Sequence, residues 1–379
     1  MRVLLFTDTF YDANGVSKFL QNIATEASRN QKDLQIITST RKTCGKNDDI
    51  KNLQNFDPIF TIKIPFYKEL DLALPNFRKL LAFSKEAKPN FIHISTPGPI
   101  GLCGLFMAKK LNLPASATYH TDFPQYVYKN TKVKLFRYVT KKYMKFFYGR
   151  CDYVFTRSNY YVDILKQDIN LQRDKILPIK PGIDLDKFKP FQIPTKPYGF
   201  RESDFNILYV GRLTAEKNFD FLLKVWDLFF ASNNSRKAIN FIAVGEGKIL
   251  KEAGKYKSKN VHFLGYKTAD ELAEIYSMCD LFVFASTTET LGQVVMEAQA
   301  CALPAIVANS GGHLEIIADG VRALPLDVNL WCGEIKNIFD DENLRNDTGA
   351  ANLEFISNYS IKNSFFDFWG KITNTKDTL

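Results

Sequence analysis

The chain has 379 residues, 45% of them apolar and 24% charged, an ordinary globular balance with enough length for two cored domains. Its net charge is +9, but residues 1–180 carry 29 basic and 15 acidic side chains, a net of +14, against 21 and 26, a net of −5, in the remainder. The longest apolar run (99–108) is too short to span a bilayer, Asp8 comes too early for a signal peptide, and six cysteines without CxxC spacing beside four scattered histidines argue against a metal site. The expectation is a cytoplasmic protein with reduced thiols, whose first half alone meets an anionic partner.

In chain order, apolar and β-branched runs at 2–8, 34–40, 91–96, 115–121 and 153–158 read as buried strands. Amphipathic stretches such as GVSKFLQNIATEASR (15–29) lie between them, which predicts a parallel sheet wrapped by helices. GPIGLCG (98–104) opens a helix, but its GxxGxxG spacing is not that of a dinucleotide fingerprint, and its glycines read as close helix packing. No GxxxxGK[ST] loop is present. Residues 129–150 hold eight Lys and Arg, no acid, and interleaved aromatics at 136, 138, 143 and 146–148. They read as a basic amphipathic helix for an anionic membrane surface, with Lys141, Lys142 and Lys145 as membrane or acceptor contacts. No nucleic-acid recognition module is visible.

The Pro-rich stretch 178–197 reads as a linker, after which the alternation restarts at 205–212, 240–247, 261–266, 281–287 and 304–310. The predicted fold is α/β, two Rossmann-like doubly wound domains facing a cleft. The predicted boundaries are 1–180, a linker at 181–200, a second domain at 201–358 and a closing helix at 359–379. Ligands of such sheets bind at the carboxyl ends of the strands. There, VGRLTAEKN (210–218) places Arg212 and Lys217 where two cations suit a diphosphate. ETLGQVVME (289–297) places Glu289 in a turn and Glu297 about one helical turn inside the next helix. The N–H groups at 291–293, with the helix dipole, form an anion site; Glu289 suits sugar hydroxyls and Glu297 a ribose diol.

These stretches, with GGHLEII (311–317), NGVSKFL (14–20), STPGPIGL (95–102) and YHTDFPQY (119–126), resemble glycosyltransferase family 4 over nearly the whole chain. The resemblance is to the subgroup near sulfoquinovosyl-diacylglycerol synthases and bacterial mannosyltransferases. It implies a retaining, nucleotide-sugar-dependent hexosyltransferase of GT-B fold that needs no metal or other cofactor. Gly15 then approaches the donor phosphate and His120 touches the transferred sugar. Arg212 and Lys217 neutralise the diphosphate. Glu289 with Thr290, Leu291 and Gly292 holds the sugar, and Glu297 the ribose. His120, Arg212, Lys217 and Glu289 form the catalytic set. Asn14, Ala302 and His313 depart from the family pattern. The expected donor is UDP- or GDP-linked. The expected acceptor is a lipid or lipid-linked glycan at the inner face of the membrane, on which the enzyme sits peripherally. A soluble glycan acceptor and a sugar-nucleotide epimerase of the same fold are the alternatives.

Overall fold

The computed structural model describes residues 1–12, 14–42, 50–64, 67–191, 197–289 and 291–377. These form two compact units: Met1–Gly182 with Ile361–Leu379, and Ile183–Ser360.

The first unit is built on a seven-stranded parallel sheet. Its strands are β1 (Arg2–Phe6), β2 (Asp33–Thr38), β3 (Leu53–Asn55), β6 (Phe91–Ile94), β7 (Ala115–Tyr119), β8 (Tyr153–Thr156) and β9 (Ile176–Pro178), in the order β3-β2-β1-β6-β7-β8-β9. A separate antiparallel hairpin joins β4 (Pro58–Ile64) and β5 (Tyr67–Pro75). The helices are α1 (Gly15–Arg29), α2 (Phe77–Glu86), α3 (Pro99–Leu111), α4 (Phe123–Thr131), α5 (Lys134–Tyr148) and α6 (Tyr160–Ile164). Because side chains alternate along a strand, one sheet needs two apolar layers. Val3 and Leu5 of β1 face Phe19 and Ile23 of α1 together with Phe365, Phe368 and Ile372. Leu4 and Phe6 face the other way, onto Ile100 and Met107 of α3 and Phe147 of α5. Each such side chain contributes about 1.5–3 kcal/mol by leaving water.

The second unit repeats the plan. Strands β10 (Phe205–Val210), β11 (Ile239–Val244), β12 (Val261–Gly265), β13 (Leu281–Phe284), β14 (Ala305–Ala308) and β15 (Arg322–Leu324) run parallel in the order β12-β11-β10-β13-β14-β15. Helices α7 (Phe219–Ser232), α8 (Ala269–Ser277), α9 (Gln293–Ala300), α10 (Val328–Asp340) and α11 (Glu342–Ile356) cover it. In both sheets the first strand has its second strand on one side and its fourth on the other. Consecutive crossovers therefore leave in opposite directions from that point and open a crevice at the carboxyl ends of the strands.

Several sequence expectations change. Each predicted strand that ended in a polar tail stops two to three residues earlier, because those tails leave the hydrogen-bond ladder to form the crevice loops. The segment 181–200 is not a free linker: Ile183, Phe188 and Phe200 lie in the core of the second unit. The closing helix α12 (Ile361–Asp377) belongs to the first unit, packed on α1. The basic stretch 129–150 is two helices, broken at Lys132, whose φ of 59° is left-handed. The β4–β5 hairpin escaped the sequence reading altogether.

Candidate functional site

In the second unit the loops after β10 and β13 close on each other. Asn218 caps α7 with a left-handed backbone (φ 54°), and its side-chain amide donates to the carbonyl of Ala285, 2.8 Å away. This bond ties the two crevice loops together. Lys217, at the end of a 3-10 turn, meets the Glu289 carboxylate in an ion pair whose two side chains are only 15% and 20% exposed. Burial opposes the charged form of Glu289, yet the charge and hydrogen bond of Lys217 outweigh it, so its carboxyl titrates below the ordinary value. Arg212 pairs in turn with Glu216 at 2.5 Å. Both expected diphosphate cations therefore already hold a carboxylate. A phosphate binding here exchanges one anion for another rather than meeting bare charge.

Glycines let the backbone come close at this crevice. A Cβ on Gly245 (φ 133°) would stand 2.0 Å from the Gly211 carbonyl oxygen. Gly292 (φ 78°) is the N-cap of α9, and a Cβ there would meet Cβ of His313 at 2.6 Å. Its N-cap, Gly292, has no side chain to cap it and no acid lies in its first turn, so among the described residues its leading N–H groups are those an anion would use. Leu291 and Gly292 lie at this start as expected; Thr290 lies outside the described residues. Glu297 sits inside α9 and is 3% exposed, with Tyr276 Oη of α8 3.1 Å from its Oε2. It is a buried carboxylate oriented by a tyrosine, not a surface group. His313 is fully buried, and burial holds its pKa below the ordinary value. Its Nε2 donates to the carbonyl of Ala308 at 2.8 Å, since a carbonyl can only accept. Nδ1 is therefore the unprotonated nitrogen, and it has no hydrogen-bond partner among the described residues. The histidine thus supports the Gly292 and Gly311 turns from beneath.

The crevice of the first unit is a cavity of about 160 Å³. Its lining is mostly apolar, with Leu72, Phe123, Tyr143 and Met144, and includes the polar residues Asp8, Thr9, Asn14, Ser95 and His120. Gly15 opens α1 and is exposed, with open space where a Cβ would stand. The next two N–H groups, of Val16 and Ser17, are already taken by the Asn14 side chain at 3.0 and 2.9 Å. Of the first three N–H groups of α1, Gly15's is thus the one this cap does not use. His120 follows β7, is 9% exposed, and lies with Nε2 2.9 Å from Ser95 Oγ. Burial, then the charge of Arg157, hold it well below its ordinary pKa, so it acts as a neutral hydrogen-bonding imidazole.

Two residues here escaped the sequence reading. Asp8, at the end of β1, accepts from the N–H groups of Ile100 (2.8 Å) and Gly98 (3.0 Å) and from Thr96 Oγ1 (2.7 Å). It caps α3 across the crevice, and burial nevertheless raises its pKa to about 6. Its position at the end of an apolar strand was the available signal. Arg157 is 5% exposed, with its guanidinium over the Phe19 ring and Nη1 unpartnered among the described residues.

The expected membrane lysines lie on α5. Lys142 and Lys145 are exposed, and Lys142 lies over Tyr138. Lys141 is paired with Asp168 at 2.8 Å, a partner from outside the acid-free stretch. The aromatics divide: Phe147 and Tyr148 are core, Phe136, Tyr138 and Phe146 are exposed, and Tyr143 lines the cavity. Among the described residues no helix is long and apolar enough to cross a membrane.

The comparisons with known proteins fit this geometry. The pattern of the family Glycosyltransferase Family 4 matches residues 13–187, and that of Glycosyl transferases group 1 matches residues 192–354. The chain is 28% identical over 337 residues to the alpha-monoglucosyldiacylglycerol synthase of Streptococcus pneumoniae, covering 84% of this chain and 74% of that one. It is 26% identical over 338 residues to the GDP-mannose-dependent alpha-mannosyltransferase of Corynebacterium glutamicum (86% and 77%). It is 27% identical over 310 residues to sulfoquinovosyl transferase SQD2 of Arabidopsis thaliana (78% and 58%). Its fold matches the crystal structure of Anabaena HepE in complex with UDP and glucose with a TM-score of 0.74 at 17% identity, covering 100% of both chains. With family patterns covering both Rossmann-like units, the chain belongs to glycosyltransferase family 4.

Proposed function

We propose that this enzyme moves a hexose, with retention, from a UDP- or GDP-linked sugar to a lipid or lipid-linked glycan at an anionic membrane surface. The observation that carries the donor half is the Lys217–Glu289 pair beside the uncapped start of α9. Breaking the bond between sugar and diphosphate builds negative charge on the leaving group. Lys217, Arg212 and the α9 N–H groups receive that charge without a metal ion, while Glu289, released from Lys217, takes sugar hydroxyls. Glu297 holds the ribose, and His120 touches the transferred sugar.

The acceptor half rests on the basic first unit, on the exposed cations and aromatics of α5, and on the similarity to the pneumococcal alpha-monoglucosyldiacylglycerol synthase. The test is release of nucleoside diphosphate from UDP-glucose and from GDP-mannose, with and without membrane lipid extract and in EDTA. Release that depends on lipid and survives EDTA is expected. Release dependent only on a water-soluble glycan would move the acceptor to that class, and loss of turnover in EDTA would refute the metal-free reading.

A further inference from the structure

The β4–β5 hairpin has a two-faced pattern that the fold does not use. Its register pairs Phe60 with Leu74, Thr61 with Ala73 and Ile62 with Leu72. Successive residues of a strand point to opposite faces, so Phe60, Ile62, Leu72 and Leu74 share one face and Thr61 and Ala73 the other. Ala73 is buried, so the second face turns inward. The first face is four apolar side chains in a row, yet Phe60, Ile62 and Leu74 are 57%, 53% and 55% exposed. A row of this kind on a two-stranded hairpin that pairs with neither main sheet gains nothing in water.

What lies at the end of the row gives it a use. Leu72, fourth in the row, lines the cavity that holds Asp8, Ser95 and His120. Tyr143 and Met144 of α5 line the same cavity. The apolar row therefore runs from solvent to a mostly apolar pocket that also holds the polar groups of Asp8, Ser95 and His120. Lys63 lies on the other face of β4, opposite Asp71 in the ladder, whereas Arg78 and Lys79 are exposed at the start of α2 just after the hairpin. Arg78 and Lys79 adjoin Phe77, which packs edge-on against Phe106 of α3 at 5.0 Å.

We infer that this face binds the hydrocarbon of the lipid acceptor: Phe60, Ile62 and Leu74 enter the outer part of the bilayer, and an acyl chain lies along the row while the polar head reaches Ser95 and His120 in the cavity. The assignment rests on the lipid-acceptor reading and specifies its subsite. Polar head and apolar tail are met in the order in which an amphipathic lipid presents them, and Arg78 and Lys79 suit anionic headgroups.

A Phe60→Trp variant tests this in the full-length protein, because the three native tryptophans are at most 7% exposed and report from the cores. Vesicles of phosphatidylcholine with phosphatidylglycerol, half of the preparations carrying brominated acyl chains, are added at high salt to screen α5. The expected result is that the indole introduced by Phe60→Trp emits at shorter wavelength and is quenched by bromine. An Ile62→Trp variant should behave alike, and Phe60→Ser/Ile62→Ser/Leu74→Ser should lower vesicle partitioning by roughly a hundredfold or more. Vesicle binding without quenching in either indole variant overturns the inference and leaves lipid-dependent turnover, measured separately, to stand or fall alone. A blue shift that instead tracks protein concentration, with dimers in sedimentation, overturns it in favour of a second copy.

Discussion

The crevices of the two units share one topology and hold opposite chemistry. In the second unit, Lys217 and Glu289, Arg212 and Glu216 face each other as ion pairs around glycine turns and an uncapped helix start. In the first, the matching strand ends carry Asp8, which ties the start of α3 to the end of β1, and Ser95 after β6, which meets the neutral His120 after the next strand, β7. One crevice keeps its helix start and charges available for exchange with an anionic ligand. The other commits its carboxylate to structure and leaves a mostly apolar cavity. On the proposed function this difference separates labour between two units of one topology: transferable charge in one, acceptor shape in the other.

The largest effect tests the charged crevice. Lys217→Ala or Arg212→Ala should lower turnover by about a hundredfold or more with the fold intact, read from kcat/KM and a melting curve. Wild-type turnover in both variants would remove the clamp.

A smaller effect is expected on the opposite unit. Lys142→Ser with Lys145→Ser should weaken binding to anionic vesicles by about thirtyfold at low salt, about 1 kcal/mol per cation, and leave nucleotide-sugar affinity unchanged. Lys141→Ser should do less, because Asp168 already neutralises Lys141. Equal losses for all three lysines would show that the pair with Asp168 opens at the membrane.

The two glutamates sharpen the division within the donor crevice. Glu297→Gln should weaken nucleoside diphosphate affinity by about tenfold, since ribose is held alike before and during reaction. Glu289→Gln should instead lower kcat by about tenfold or more and leave diphosphate affinity equal or stronger, because it frees Lys217. The reverse pattern would exchange their roles.

A neutral histidine buried within the first sheet predicts a pH effect on stability. His93 in β6 is buried between Ser116 and Thr118, and burial lowers its pKa from 6.5 to about 3. Between those values the unfolded chain binds a proton that the folded chain does not. Stability therefore falls as pH falls through this window, by up to about 1.4 kcal/mol per pH unit from this one group. His93→Gln should flatten the slope in denaturant titrations between about pH 6 and pH 4; an unchanged slope would place the titration elsewhere.

Much of this division was legible in the sequence, because spacing carries it. The alternation of apolar runs and amphipathic stretches foretold two parallel sheets, and strand-end motifs foretold Arg212, Lys217, Glu289 and Glu297 at one crevice. What stayed hidden depends on contacts between distant positions. Lys217 and Glu289 stand 72 residues apart, so their pairing could not be read from either motif. Asp8 caps a helix 92 residues downstream. Tyr276 orients Glu297 from another helix, and Asp168 reaches Lys141 from outside the acid-free run. The β4–β5 hairpin failed for a different reason. Residues 60–64 do alternate apolar and polar side chains, which was the available signal, but the register shift between Pro58 and Phe60 breaks the alternation at the start of the strand.

The most direct test of the divided labour is calorimetric titration of UDP and GDP into the full-length protein, comparing wild type, Lys217→Ala and Lys142→Ser/Lys145→Ser. The account predicts that one of the two nucleotides binds the wild type, that Lys217→Ala weakens it by about tenfold or more, and that the α5 variant binds as the wild type does. Wild-type affinity in Lys217→Ala together with loss in the α5 variant would contradict it, placing the nucleotide in the first unit.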